Sequence, residues 1–432
     1  MTDAVPTPAP ALSPVRAAAE KRLKKRHAAE WRFRAYGLTA ITLAVGFLAF
    51  LLVNLTMQGL GAFTTNTITV PIYVDPARVN ASDLQGANYD MLVADQLLGR
   101  LGVEIDELGE NSLKAKDLMS PDLGYQVMDR LKADPTLIGR TITVSAPVAG
   151  NADLYYKGEL GREIAQEDRK LDDQQLDWLD KLKAAGLVTS GFNTRLFTHA
   201  DSTQPELAGL LGAIVGSALM LLVTALVAVP MGVLAAVYLE EFAPKNRLTG
   251  FIEVNINNLA AVPSIVYGML GLAVFINWLQ FPRSAPITGG VVLALLVLPT
   301  IIIATRSALK SVPPSIREGA LAVGASPTQA VFHHVLPQAM PGVMTGVILA
   351  LAHALGETAP LLMIGMVSFV PSVPEGFTSA ATVLPVEIFI WENASERAFH
   401  ERTAAAILVL LAFMIVMNAI AIILRRRFEK RW

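Results

Sequence analysis

Hydrophobic and polar positions divide the chain into long apolar runs and one long polar stretch. Apolar runs cover residues 38–55, 207–239, 259–279, 290–304, 343–367 and 404–424. A helix needs roughly 18–20 such residues to cross a hydrocarbon core of roughly 30 Å. The fourth run is short and is expected to extend to Ser307. The pattern predicts six membrane helices. Residues 62–205 break it with regular polar positions and many acids, and read as an inserted α+β domain. There the spacing predicts strands over 67–74 and 141–146 and helices over 89–101, 124–131 and 172–185. The boundaries expected are a basic tail over 1–36, a first helix over 37–61, the α+β domain over 62–205 and a membrane region over 206–432.

The flanks orient the spans. A Pro/Ala-rich segment, 7–14, precedes Lys21, Arg22, Lys24, Lys25, Arg26, Arg32 and Arg34. This leader is too long for a signal peptide, so an uncleaved anchor is expected. The last run is followed by Arg425, Arg426, Arg427, Lys430 and Arg431. Six spans put both ends on one side, and basic flanks mark the cytoplasmic side. Lys245, Arg247, Lys310 and Arg317 then also fall inside, and the acid-rich segment 387–401 falls outside. The α+β domain is extracytoplasmic, since long domains translocate whatever their charge.

Composition adds exclusions. With 35 Lys and Arg against 37 Asp and Glu, the net charge of −2 points to no charged partner such as nucleic acid. There is no cysteine, hence no disulfide, thiolate metal site or thiol nucleophile. No Gly-rich loop ends in Gly-Lys-Ser/Thr, so ATP is not held here by a Walker motif. The six histidines, His333 and His334 included, read as polar residues and not as a metal site. The acids at Asp172 and Asp173 read as a solvated helix face.

The segment Ser311 to Pro341 is the most informative. Pro313-Pro314 can open a helix, proline being tolerated in a first turn, and residues 315–323 continue it. Gly324 is placed to take the left-handed conformation after the last turn. Ser326 can cap a second helix with Pro327 in its first turn. That helix is expected over 328–335, broken by Leu336-Pro337. The order Arg317-Glu318-Gly319-Ala320, then Gly324, then Leu336-Pro337 resembles the EAA loop of ABC-importer permeases. Gly319 replaces the usual middle alanine, at a helix-propensity cost of about 1 kcal/mol. The resemblance implies a MetI-like permease fold, with residues 307–341 as the loop that couples to a separate ATPase. ATP and magnesium would be bound by that partner, and this chain would carry no catalytic residue or cofactor.

Three further segments are similar to the permeases of phosphate-specific importers, the last of them to the A-type subunit. They are Pro230-Met231-Gly232 through Tyr238-Leu239-Glu240-Glu241-Phe242-Ala243-Pro244, Val262-Pro263-Ser264-Ile265-Val266-Tyr267-Gly268, and Leu355-Gly356-Glu357-Thr358-Ala359-Pro360-Leu361-Leu362. The match covers roughly 207–432. It implies inward phosphate transport across the bacterial inner membrane. It also implies a C-type second permease, an ATPase dimer and a periplasmic phosphate-binding protein as partners.

Read from the residues, Glu357 is a carboxylate inside an apolar run and so a functional candidate. His353 lies one turn before it on the same face, where the family often has arginine. Gly356 and Pro360 can open the helix beside it. Arg306, His353, Glu357, Thr358 and Ser264 form the candidate substrate pathway. For each, a structural role stands beside the functional one: a buried pair for His353–Glu357, an interfacial cation for Arg306, a kink at Pro263 or Pro299. The same machinery could carry another oxyanion. A membrane-anchored sensor acting through its external domain is the alternative of a different class.

Overall fold

One uninterrupted helix, α1 (Pro14–Gly59), carries both the basic stretch and the first apolar run. The computed structural model describes residues 14–103, 109–367 and 369–428; most of the Pro/Ala-rich segment and the last two basic residues, Lys430 and Arg431, lie outside these. The chain divides into two units, residues 1–57 and 58–432, each described by itself.

Within the second unit, the α+β domain is built on a three-stranded antiparallel sheet in the order β2-β1-β3. Its strands are β1 (Thr64–Tyr73), β2 (Thr141–Pro147) and β3 (Val188–Phe192). The alternation Ile68, Val70, Ile72 on β1 and Ile142, Val144, Ala146 on β2 turns one face of the sheet into a buried core. Helices α2 (Tyr89–Leu101), α3 (Glu110–Lys116), α4 (Asp122–Ala133), α5 (Gly150–Lys157) and α6 (Asp173–Ala184) accompany the sheet. Asp173 is exposed as expected, whereas Asp172, half-buried, caps α6 in a reciprocal box with Gln175. The short α7 (Arg195–Thr198) leads toward the membrane region.

The domain joins that region through a buried polar knot. Lys157 on α5 lies 2.7 Å from Asp153 and 3.0 Å from Glu401, all three nearly excluded from solvent. Asn66 on β1 donates to Asp153 from its backbone and its side chain, both at 2.9 Å. Arg402 is buried and donates to the Ala208 carbonyl at 2.8 Å. Each charge therefore has a partner, the condition for its burial.

The membrane region comprises α8 (Leu211–Val237), α9 (Arg247–Leu259), α10 (Ser264–Leu270), α11 (Pro286–Lys310), α12 (Pro314–Ala322), α13 (Pro327–Gln329), α14 (Leu336–Gly356), α15 (Ala359–Met363), α16 (Leu384–Glu392) and α17 (Ala398–Phe428). Helices α8, α11 and α14 pack closely through small residues. Gly342 and Gly346 on α14 rest on Ala308 and Ala304 of α11, where a Cβ would lie 2.8 and 2.3 Å from the alanine methyls. Such small-residue contacts let helices approach in a membrane.

The six expected spans are realised as five helices of span length among the described residues, plus one bent pair. The third run is one arm of that bent pair. Its helix Ser264–Trp278 follows α9 at a bend of 104°, because Pro263 cannot continue α9 and instead starts α10. The fifth run divides: α14 stops at Gly356, and Glu357 and Thr358 separate it from α15. The break expected at Leu336-Pro337 is absent. A helix runs unbroken from Pro327 to Gly356, through a π turn at Ala330–Val335 just before the proline. The wider i→i+5 spacing absorbs the hydrogen bond that Pro337 cannot donate. The acid-rich segment 387–401 is an exposed connection only in its middle, 392–397: Glu387 sits fully buried on α16, and Glu401 is buried near the start of α17.

Candidate functional site

The loop between α11 and α14 adopts the helix–glycine–helix form expected of it. Pro313 precedes α12, which starts at Pro314. Gly324 has φ +92°, and two hydrogen bonds close the helix end behind it. The Gly324 amide donates to the Leu321 carbonyl at 3.0 Å and the Ala325 amide to that of Ala320 at 3.1 Å. This is the Schellman pattern, for which the left-handed residue is required. Ser326 then caps α13: its hydroxyl accepts from the Gln329 amide at 3.2 Å, and the Gln329 side chain accepts from the Ser326 amide at 2.9 Å.

Arg317 anchors this element. Its guanidinium grips Glu241 at 2.5 and 2.9 Å and donates to the carbonyls of Leu309 and Val312, each at 2.9 Å. Such fork-to-carboxylate pairs fix orientation as well as position. Ala320 faces inward, whereas Glu318, Gly319, Ala322 and Gly324 face solvent. Leu321 and Val323 are 47% and 85% exposed, so the tip presents apolar side chains to solvent. Leu336 is half-buried and Pro337 exposed in the first turn of α14.

The candidate pathway residues fall into two groups. His353 Nε2 lies 2.8 Å from Glu357 Oε1. Glu357 has left helical geometry, with ψ 116°, and Thr358 precedes α15. The imidazole is exposed, on the same open face of α14 as Leu349 and Gly356. The pair is therefore not a buried link between helices. Ser264 opens α10, and α10 packs on α15 at Gly268, where a Cβ would stand 2.7 Å from Pro360 Cα. Two segments distant in the chain, at 262–268 and 355–362, thus meet, and a glycine permits the contact.

Arg306 is elsewhere. Its guanidinium bonds Glu240 at 3.2 Å and Glu253 at 2.7 Å. Ala304, two residues before it, touches Gly346; Glu357 lies eleven residues beyond Gly346, about 16 Å of helix rise. Glu240, Glu241 and Glu253 were not weighed as functional residues from sequence. The available signal is two adjacent acids, Glu240 and Glu241, ending one apolar run, and Arg306 just past the end of another.

Comparison with known proteins completes the description. Residues 228–432 match the family described as binding-protein-dependent transport system inner membrane component. A phosphate transport system permease protein PstA 2 of Mycobacterium bovis is 36% identical over 238 residues, 54% of this chain and 76% of that protein. The chain belongs to the PstA permease family. Its fold is the α-helical, multi-pass membrane fold of ABC permeases. Another family member, PstA of Pasteurella multocida, is 29% identical over 54% of this chain and 84% of its own length. The probable ABC transporter permease protein YqgI of Bacillus subtilis is 34% identical over 41% of this chain and 60% of its own. Among solved structures, an inward-facing methionine ABC transporter, MetNI, aligns with 51% of this chain and 95% of its own at 19% identity and a TM-score of 0.39. Residues 20–166 match a domain of unknown function, outside the stretch that the permease family shares.

Proposed function

We infer that the chain is the permease subunit of an ATP-driven importer that moves inorganic phosphate inward across the bacterial inner membrane. Membership of the PstA family carries this reading, since named relatives are phosphate transport permeases. ATP hydrolysis belongs to a separate ATPase dimer, which holds ATP and magnesium. A C-type second permease and a periplasmic phosphate-binding protein complete the assembly. Both termini are cytoplasmic, and the α+β domain faces the periplasm.

The ATPase docks on the exposed tip of α12. Its apolar side chains Leu321 and Val323 are uncovered, and a sharp turn at Gly324 with φ +92° presents them. Arg317, locked to Glu241, keeps the tip rigid, so a push on Glu318, Gly319 or Ala320 moves the helix as a body.

Phosphate passes between this chain and the second permease, along the open face of α14. An imidazole there would be costly against lipid, and its exposure fits an aqueous path. His353, Glu357, Thr358 and Ser264 line that path; Arg306, neutralised by two acids, does not. Phosphate near neutral pH retains a proton that sulfate lacks. Glu357 accepts a hydrogen bond from that proton, and an imidazole N–H of His353 donates to a phosphate oxygen. The test is uptake of phosphate and sulfate by the assembled importer carrying Glu357→Gln. Phosphate uptake should fall at least tenfold, and discrimination against sulfate should shrink. Survival of both would refute the role of Glu357.

A further inference from the structure

A continuous line of contacts runs from the α12 loop to the break beside Glu357. Arg317 holds Glu241. Its neighbour Glu240, on the same π turn at Tyr238–Phe242, holds Arg306 of α11. Arg306 in turn holds Glu253 of α9. Across the 104° bend, the Tyr267 hydroxyl of α10 donates to the carbonyl of Leu259, the last residue of α9, at 2.8 Å. Gly268 of α10 then seats Pro360, three residues from Glu357.

We propose that Glu240 and Glu241 are positioning residues that pass the displacement of α12 to the bent pair α9–α10, and through Gly268 and Pro360 to the segment carrying Glu357. The inference rests on reading the loop as the ATPase contact and deepens it.

Three observations favour a relay over simple staples. First, the two acids are adjacent on one turn, yet each is bonded to a different arginine. Adjacent positions on a helix do not share a face, so one rotation of the turn moves both pairs. Second, α9 buries none of its side chains. Among the described residues, its place is set largely by polar ties: Glu253 to Arg306 and Leu259 to Tyr267. An element with so few buried contacts can move at little cost. Third, each pair has one shielded member: Glu241 and Arg306 keep 7% and 14% side-chain exposure, so water competes poorly for them.

The test uses the complete importer in proteoliposomes, with phosphate taken up per ATP hydrolysed as the readout. Two controls on the unaltered complex come first. Absent phosphate uptake would defeat the substrate reading, and failure of the ATPase to co-purify would defeat the loop assignment; neither result concerns the relay. Glu241→Gln and Glu253→Gln should each lower the ratio at least fivefold while the ATPase still co-purifies. Glu253→Gln is the sharper variant because it touches neither the loop nor the pathway. The exchange Glu241→Arg with Arg317→Glu should regain at least half of the lost ratio. A ratio within twofold of the unaltered complex in both single variants overturns the proposal, whatever happens to yield. So does an exchange that stays at the level of Glu241→Gln, which would give that pair a packing role alone.

Discussion

Gly319 and Gly324 lie in the same loop, and replacing each by alanine separates backbone conformation from available space. A Cβ at either position would meet nothing within 4 Å. They differ in φ: +92° at Gly324, with no positive value at Gly319. Left-handed backbone costs an L-residue about 1–2 kcal/mol. The restriction that alanine places on the opened chain returns about 0.4–1 kcal/mol. Gly324→Ala should therefore favour local opening by about 1 kcal/mol, close to fivefold in population. Gly319 sits inside α12, where alanine is better than glycine by about 1 kcal/mol, so Gly319→Ala should close the loop by a similar factor. Hydrogen exchange on the protein in nanodiscs reads both. The Ala325 amide, bonded to Ala320 at 3.1 Å, should exchange about fivefold faster in Gly324→Ala. The Val323 amide, bonded to Gly319 at 3.3 Å, should exchange about fivefold slower in Gly319→Ala. In the importer, Gly324→Val should reduce phosphate moved per ATP, since a β-branched residue tolerates this backbone least. Shifts of the same sign in the two alanine variants, or none in Gly324→Ala, would refute the argument that the turn depends on left-handed geometry.

Other outcomes follow from burial and close contact. Lys157→Met leaves Asp153 and Glu401 facing each other with little solvent access and should destabilise the protein by about 3–5 kcal/mol, measured as a fall in melting temperature in detergent. Burial, reinforced by neighbouring Asp201, holds the Glu387 carboxyl well above its ordinary 4.5. The stability this group contributes is thus complete below pH 4.5 and declines as pH rises through the elevated value. Glu387→Gln should melt above the unaltered protein at alkaline pH, with the gap closing toward pH 5; parallel curves would contradict this. Gly268→Leu forces a side chain against Pro360, where even a Cβ would be 2.7 Å from Cα. It should cut phosphate uptake severely while ATPase association persists, as co-purification would show.

The features legible in the sequence were those governed by local rules. The helix starting at Pro314, the left-handed Gly324 and the Ser326 cap each depend on residues within one turn, and all three are found as expected. Within the α+β domain, the helix expected over 89–101 from apolar spacing is found with those bounds, closed by Gly102 in the left-handed conformation. The strand 188–192 was missed because its side chains are mostly exposed, so no alternation of apolar and polar marks it. Hydropathy also overran the breaks at 260–263 and 357–358. A hydropathy window sums composition and does not register that a proline or glycine has redirected the backbone.

What sequence reading did least well was to assign partners to charges. The candidate pathway groups Arg306 with Glu357, but a charge at a helix end and a charge in an apolar run carry no information about their distance. The fold separates them along α14 and gives Arg306 two acids instead. That separation gives the two ends of the bundle different chemistry. Where the α12 loop lies, Arg306 and Arg317 each grip carboxylates, and the pairs fix helices to one another. Beside the α14 break, the His353 imidazole and the Glu357 carboxylate share an open face, where the proposed phosphate path would meet them. A transporter needs both kinds of site: one that transmits displacement without dissipating it, and one whose polar groups are loosely enough engaged to release what they bind.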